Sequence, residues 1–309
     1  MRKIIGIGET VLDVIFKNDQ PQKAVPGGST FNALISLGRT VGVRFPDTKI
    51  TMITETGDDH IGDIIVDFMR KNNLETNGVV RNSGTQTHIS MAFLDQNNDA
   101  QYEFYKNHAG ANMSGIADFS FHKDDIVLFG SFFAINPVIR HVTRRLISEA
   151  HNAGAILFYD INFRKSHIKD IPTVLGNIEE NCSMSHVVRG SADDFGYLFG
   201  SVDPQEIYDK HIKHLCPNFI CTRGAESIEV FTADGHYSFD TEIIETVSTI
   251  GAGDNFNAGF IYSLIRDNIQ SPFAPKAEEW QKIIRTAQKF SSAVCQRIEN
   301  YVDEGFVAE

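Results

Sequence analysis

Residues 249–260 read TIGAGDNFNAGF. Gly251, Ala252 and Gly253 stand directly before a carboxylate, Asp254. Beyond it Phe256, Phe260 and Leu264 recur every four residues, with Ile261 and Ile265 beside them, so an amphipathic helix is expected to begin near Gly253. A helix start needs a cap, and Asp is a common one. It does not need a bare backbone ahead of the cap. The first N–H groups of a helix lack internal acceptors and carry partial positive charge. Glycines ahead of them let an anion approach closely. The stretch therefore has two readings. In one, it is a glycine turn with Asp254 as an ordinary helix cap. In the other, residues 251–253 form an anion hole, and Asp254 takes the proton from a hydroxyl that attacks a phosphoryl group.

The bulk properties narrow the setting. The chain has 309 residues, 42% of them apolar and 22% charged, which is enough for one large α/β domain or two modest ones. A net charge of -12 argues against a general nucleic-acid binder and leaves small anionic ligands open. No apolar run approaches the roughly 18 residues that span a membrane. The N-terminal MRKIIGIGETVLDVIF is broken by Gly6, Gly8 and Glu9, so it reads as a first strand and not as a signal peptide. Cys182, Cys216, Cys221 and Cys295 make no C-x-x-C pair and read as buried reduced thiols, for which a cytoplasmic location is the default.

Continuous apolar runs at 3–8, 50–54, 126–130, 155–160, 187–190 and 219–222 predict strands buried on both faces. Helical periods lie between them, at Phe31, Leu34, Ile35 and Gly38, at 61–72, and at 138–152 with Pro137 in its first turn. A last helix is expected around 280–297. The alternation predicts a doubly wound, mostly parallel sheet. Residues 10–16, 87–95 and 100–106 read differently. The last two flank a polar turn, 96–99, as a hairpin, and the three pieces are expected to form a small antiparallel sheet. Such a sheet near the carboxyl ends of the main strands, where ligands bind, can act as a lid.

Other phosphate templates are missing. No G-x-x-x-x-G-K-[ST] occurs, and Val11 holds the third glycine position of a dinucleotide fingerprint. The histidines form no H-x-x-x-H site, and no G-x-S-x-G elbow is present. PGGSTFNAL (26–34) sets Gly27 and Gly28 before a helix that carries Asn32. It is either a turn with a cap or, with Asp13, a polyol pocket, since Asn offers both donors and acceptors. In YDINFRK (159–165), Arg164 either neutralises phosphate charge or is an ordinary surface residue.

Together these clusters resemble the PfkB, or ribokinase-like, family of carbohydrate kinases over essentially the whole chain. The family signature D-T-x-G-A-G-D, with A-G in the following helix, is matched from Ser248 to Gly259, Ser248 replacing the leading Asp. The G-G-x-x-x-N start is matched by Gly27, Gly28 and Asn32, with Ser29 and Thr30 after the glycine pair, and G-x-D-x-x-G by Gly57, Asp59 and Gly62. D-x-N-x-R appears as Asp160, Asn162 and Arg164, and T-x-G as Thr222 and Gly224. Ser191 and Asp194 replace the family's N-x-x-E.

The resemblance implies an α/β fold with a three-layer α/β/α core, a mostly parallel sheet and a small β lid. It implies one kinase domain over 1–309, with the lid from about 10–26 and 86–108. The implied reaction moves a phosphoryl group from ATP to a primary hydroxyl of a sugar, with Asp254 as base and the backbone of Gly251, Ala252 and Gly253 as anion hole. Asp13, Gly27, Gly28, Asn32, Phe104, Asn162 and Arg164 are then expected at the sugar. Ser191, Thr222, Gly224 and Gly253 are expected at the nucleotide. Magnesium is expected through water at Asp194, and a monovalent cation such as potassium at Ser248 and Ile250. Phe31 with Asn32, and EFYKNHAGAN (103–112), bring the chain nearest to fructokinase-like members. 2-Keto-3-deoxygluconate kinases and ribokinases share much of this pattern. A binding regulator without turnover is the non-enzyme alternative, motivated by Ser191, Asp194 and Ser248. Sugar and ATP are the expected partners, without nucleic acid or membrane. Exposed lid strands offer an edge for a homodimer.

Overall fold

The computed structural model describes residues 2–94, 100–105, 113, 116, 119–271 and 273–308. In chain order these form β1 (Lys3–Ile7), β2 (Val11–Lys17), β3 (Gln20–Gly27), α1 (Ser29–Arg44), β4 (Lys49–Gly57), α2 (His60–Lys71), β5 (Val79–Asn82), β6 (Ile89–Leu94) and β7 (Ala100–Tyr105). Next come β8 (Ile126–Gly130), α3 (Ser131–Ile135), α4 (Arg140–Asn152), β9 (Ile156–Asp160), α5 (Ile171–Met184), β10 (Val187–Ser191), α6 (Ala192–Phe199), α7 (Pro204–Ile207), β11 (Phe219–Thr222), β12 (Ser227–Thr232) and β13 (Gly235–Asp240). The chain closes with α8 (Ala252–Arg266) and α9 (Ala277–Cys295). Two compact units contain these elements. The first comprises Met1–Phe119, Ile244–Asn268 and Lys276–Glu309, and the second Ser120–Ile243 and Ile269–Pro275.

In the first unit β1 pairs in parallel with β4, and β4 with β5. Ile4, Ile5, Ile7, Ile50, Met52 and Ile53 are buried, which is why these runs show no alternation. Helix α1 packs on β1, β4 and α8, and α8 packs on α9. This leaves α8 almost wholly buried from Asp254 to Leu264.

A second, small sheet in this unit has the order β3-β2-β6-β7. The expectation of an antiparallel sheet needs correction. β2–β3 and β6–β7 are antiparallel, but β2 and β6 run parallel, with Leu12 opposite Ile89. The chain passes through α1, β4, α2 and β5 before returning as β6, and such a crossover permits parallel pairing. The polar turn 96–99 lies outside the described residues. Strand β2 alternates, so Asp13 shares its buried face with Val11 and Ile15.

A carboxylate joins this sheet to the unit. Asp59 caps α2 by accepting from the Gly62 N–H (2.8 Å), and it also accepts from the N–H and hydroxyl of Thr87 (both 2.7 Å), just ahead of β6. The Thr87 hydroxyl accepts in turn from the Gly57 N–H (3.0 Å). Arg81 donates to the carbonyls of Gly57 and Asp59. The residues of the G-x-D-x-x-G pattern thus build a joint.

In the second unit β8, β9, β10 and β11 are parallel, while β12 and β13 add on antiparallel. Several of its elements carry weak apolar patterns. β13 buries almost nothing, and α5 buries only Val174, Ile178, Asn181 and Cys182. Pro137 is not in the first turn of a helix as expected. It lies in the turn between α3 and α4, where the Ile139 N–H reaches the Asn136 carbonyl, and α4 starts at Arg140. No described helix is long and apolar enough to cross a membrane.

Partial burial pushes the Asp59 carboxyl upward, but the Thr87 and Gly62 donors and the Arg81 charge outweigh it, so it sits below its ordinary value of 3.8. Its stabilising effect is therefore full above that ordinary value and is lost as pH falls through the lowered one. Asp59→Ala is expected to cost about 2–3 kcal/mol at neutral pH. Chemical denaturation of both proteins across pH checks this, and the deficit should shrink in acid.

Candidate active site

Two helix starts meet in the first unit. Helix α8 begins at Ala252 with Gly251, which has no side chain, as its N-cap. Asp254 sits in the first turn, so the ordinary-cap reading of the sequence does not hold. Its carboxylate reaches across to the start of α1. The Ser29 hydroxyl donates to Oδ1 (2.7 Å), and the Asn32 carboxamide donates through Nδ2 to Oδ2 (2.8 Å). Asp254 and Asn32 are 8% and 4% exposed, so this is an oriented and nearly dry carboxylate. The α8 dipole favours its negative charge. Asn32 Oδ1 is buried with no hydrogen-bond partner among the described residues. That unfilled acceptor beside Asp254 calls for a donor such as a hydroxyl.

The backbone ahead of Asp254 turns through a left-handed residue, Gly251, at φ 78°. The Ala252 N–H is engaged by the Thr249 carbonyl (3.2 Å), so residues 251–253 do not present equivalent N–H groups. Gly253 lies in the first turn, where N–H groups lack intrahelical acceptors. At α1, Gly28 is the N-cap at φ 126°, and a Cβ there would overlap the Glu9 carbonyl. A Cβ on Gly27 would overlap Oδ2 of Asp13, so the glycine pair leaves room for that buried carboxylate. Ser248 is also buried, and its hydroxyl accepts from the Ile250 N–H (3.2 Å).

The remaining expected residues belong to the second unit, except Phe104. It lies in β7, and its side chain is outside the described residues. Asp160 and Thr222 end strands β9 and β11, and Arg189 of β10 binds both, donating to Asp160 Oδ1 (3.1 Å) and to the Thr222 hydroxyl (2.8 Å). Ser191 and Asp194 form a reciprocal helix cap on α6. The Ser191 hydroxyl accepts from the Asp194 N–H (3.2 Å), and Asp194 Oδ2 accepts from the Ser191 N–H (2.8 Å). Burial pushes the Asp194 carboxyl above its ordinary value, partly offset by the Ser191 N–H and by Arg164 nearby. A buried carboxyl already engaged as a cap is poorly suited to ligate a metal ion directly. Arg164 is exposed, and Gly224 turns at φ 58° in open space.

Three features escaped the sequence reading. Ser29 stands in the sequence only as the residue after the glycine pair, yet its place at a helix start gives its hydroxyl access to the facing turn. Ser131 and Asn162 both take left-handed φ values (54° and 38°), and Asn162 Nδ2 donates to the Ser131 hydroxyl (2.9 Å). Such backbone costs about 1–3 kcal/mol per residue and collects at functional positions. Asn255, next to Asp254, is fully buried in polar contacts. No sequence signal singles out Ser131. Asn255 was visible only as a polar residue on an apolar helix.

The pattern of one family, described as pfkB family carbohydrate kinase, matches residues 1–302. A fructokinase from Rhizobium leguminosarum bv. trifolii is 26% identical over 273 residues, 86% of this chain and 81% of its own. An aminoimidazole riboside kinase from Salmonella enterica, solved with aminoimidazole riboside and an ATP analogue, superposes with a TM-score of 0.80 at 19% identity, covering 96% of this chain and 94% of its own. A fructokinase double mutant from Vibrio cholerae O395, solved with fructose, ADP and a potassium ion, gives 0.81 at 17% identity, covering 97% and 94%.

The cap on α6 has a measurable weight. Ser191→Ala is expected to lower the unfolding free energy by about 1 kcal/mol, read as an earlier urea midpoint at unchanged slope.

Proposed function

The chain belongs to the pfkB family of carbohydrate kinases, and from that premise we propose that it phosphorylates a primary hydroxyl of a hexose or keto-sugar, fructose first among them. One observation carries this reading. Asp254 is aimed by Ser29 and Asn32, while Asn32 keeps a buried acceptor unfilled beside it. A sugar supplies what that corner lacks, one hydroxyl for Asn32 Oδ1 and a second for Asp254. Asp13 on the buried face of β2 gives the pocket another acceptor, and the small sheet serves as its lid. The fructokinase relative supports fructose, and the riboside bound by the Salmonella enterica enzyme makes ribosides a necessary member of any panel.

In the proposed step Asp254 accepts the hydroxyl proton as the sugar oxygen attacks the γ-phosphorus of ATP. The new P–O bond forms as the bond to the β,γ-bridging oxygen breaks, and ADP leaves with that electron pair. The Gly253 N–H at the head of α8 faces the charge that builds on the transferring group. Magnesium enters with ATP as part of the donor substrate. Asp194 serves α6 as a cap in this account. A monovalent cation fits less well, since Ser248 is neutral and its hydroxyl is already an acceptor for Ile250.

A steady-state assay with ATP, magnesium and a panel of hexoses, keto-sugars, 2-keto-3-deoxygluconate, ribose and ribosides tests the function. Turnover is expected with a hexose or keto-sugar, and sugar binding without phosphorylation across the panel ends the kinase reading. Asp254→Asn is expected to keep sugar binding and lose about 10²–10⁴ in kcat. Turnover near the wild-type value would remove Asp254 from the role of base.

A further inference from the structure

A buried amide fastens the glycine loop at the head of α8. The Asn255 carboxamide is fully buried, and Nδ2 donates both its hydrogens, one to the Gly251 carbonyl and one to the Asn300 carbonyl (2.8 Å each). Its Oδ1 accepts from the Ser36 hydroxyl of α1 (2.5 Å), and that hydroxyl accepts from the Val302 N–H (3.1 Å). Gly251 lies so close to Asn300 that a Cβ on it would sit 2.9 Å from the Asn300 carbonyl oxygen. Three separate stretches of chain therefore meet on this one side chain: the loop before α8, helix α1, and the segment after α9.

The chemistry of the junction is specific. Two carbonyl oxygens that face a common point repel one another unless a donor or a cation lies between them. Asn255 supplies a neutral bridge with two N–H groups. Ser248 carries no charge, its hydroxyl accepts from the Ile250 N–H, and its own N–H donates to the Cys295 carbonyl (3.1 Å).

We propose that Asn255 is the positioning residue of the anion-binding loop, joining Gly251 to Asn300 as a bridging monovalent cation would, so that turnover needs no potassium. Asn255 touches neither substrate. It acts through Gly251 on the Gly253 N–H and on the aim of Asp254. The inference rests on the kinase reading above, and its test separates the two.

Three proteins are assayed with potassium chloride or tetramethylammonium chloride as the sole monovalent salt at equal ionic strength. Wild-type turnover is expected to be the same in both, and a several-fold stimulation by potassium overturns the proposal. Asn255→Asp puts an oxygen in place of the donor, facing the two carbonyls. It is expected to lose about tenfold or more in kcat in tetramethylammonium, with the sugar KM little changed, because the loop and not the sugar pocket is displaced. Potassium should restore much of that loss, since three oxygens then converge on one point. Asn255→Ala should show the loss without restoration. Wild-type turnover from Asn255→Ala, or an Asn255→Asp protein indifferent to the cation, overturns the proposal. The unfolding midpoint gives a readout independent of turnover: potassium should raise it for Asn255→Asp and not for wild type. If neither variant folds, Ser36→Ala and the wild-type comparison decide. A wild-type protein that turns over no sugar at all refutes the kinase reading instead.

Discussion

The Asp254 carboxylate, held between Ser29 and Asn32, is the contact on which the site depends. A carboxylate that is 8% exposed must be compensated, and here Ser29 and Asn32 of the opposite helix start contribute two hydrogen bonds. That choice fixes α1 against α8 at their N-terminal ends. It brings together two first turns, each preceded by a left-handed glycine. The consequence is a corner with two helix first turns, one oriented carboxylate and one unfilled acceptor. A purely structural acid would have no use for the last of these.

The supporting structure divides its labour. Fully buried parallel strands and the α1–α8–α9 layer give the first unit its rigidity. The small sheet is tied to the unit by a polar joint at Asp59 and Thr87, beside the buried Val11 and Ile15 of β2. In the second unit, Arg189 ties the ends of β9 and β11, and the α6 cap orders the start of the next helix. Two residues that depart from the family pattern, Ser191 and Asp194, therefore have a sufficient structural reason to be present.

Local chemistry was legible in the sequence, and long-range chemistry was not. Glycines before an acid at a helix start are a local pattern, so the start of α8 beside Gly253 could be read directly. The strands at 126–130 and 219–222 were legible because buried parallel strands are continuously apolar. The same rule missed β13, whose faces are mostly exposed, and α5, whose apolar stripe is thin. The parallel pairing of β2 with β6 depends on the path of the chain between them, which no residue period encodes. Ser36 and Asn255 lie 219 residues apart, and their bond belongs to the packing of two helices. The S-x-x-D pattern of a capping box was visible at 191–194, but its place in the family pattern drew attention to metal binding instead.

The account is tested most directly by a crystal structure with fructose and a non-hydrolysable ATP analogue. It predicts a primary hydroxyl oxygen about 2.6–3.2 Å from the Asp254 carboxylate and facing the γ-phosphorus, with a second sugar hydroxyl on Asn32 Oδ1. A sugar bound away from Asp254, or one that turns only secondary hydroxyls toward it, would contradict the account.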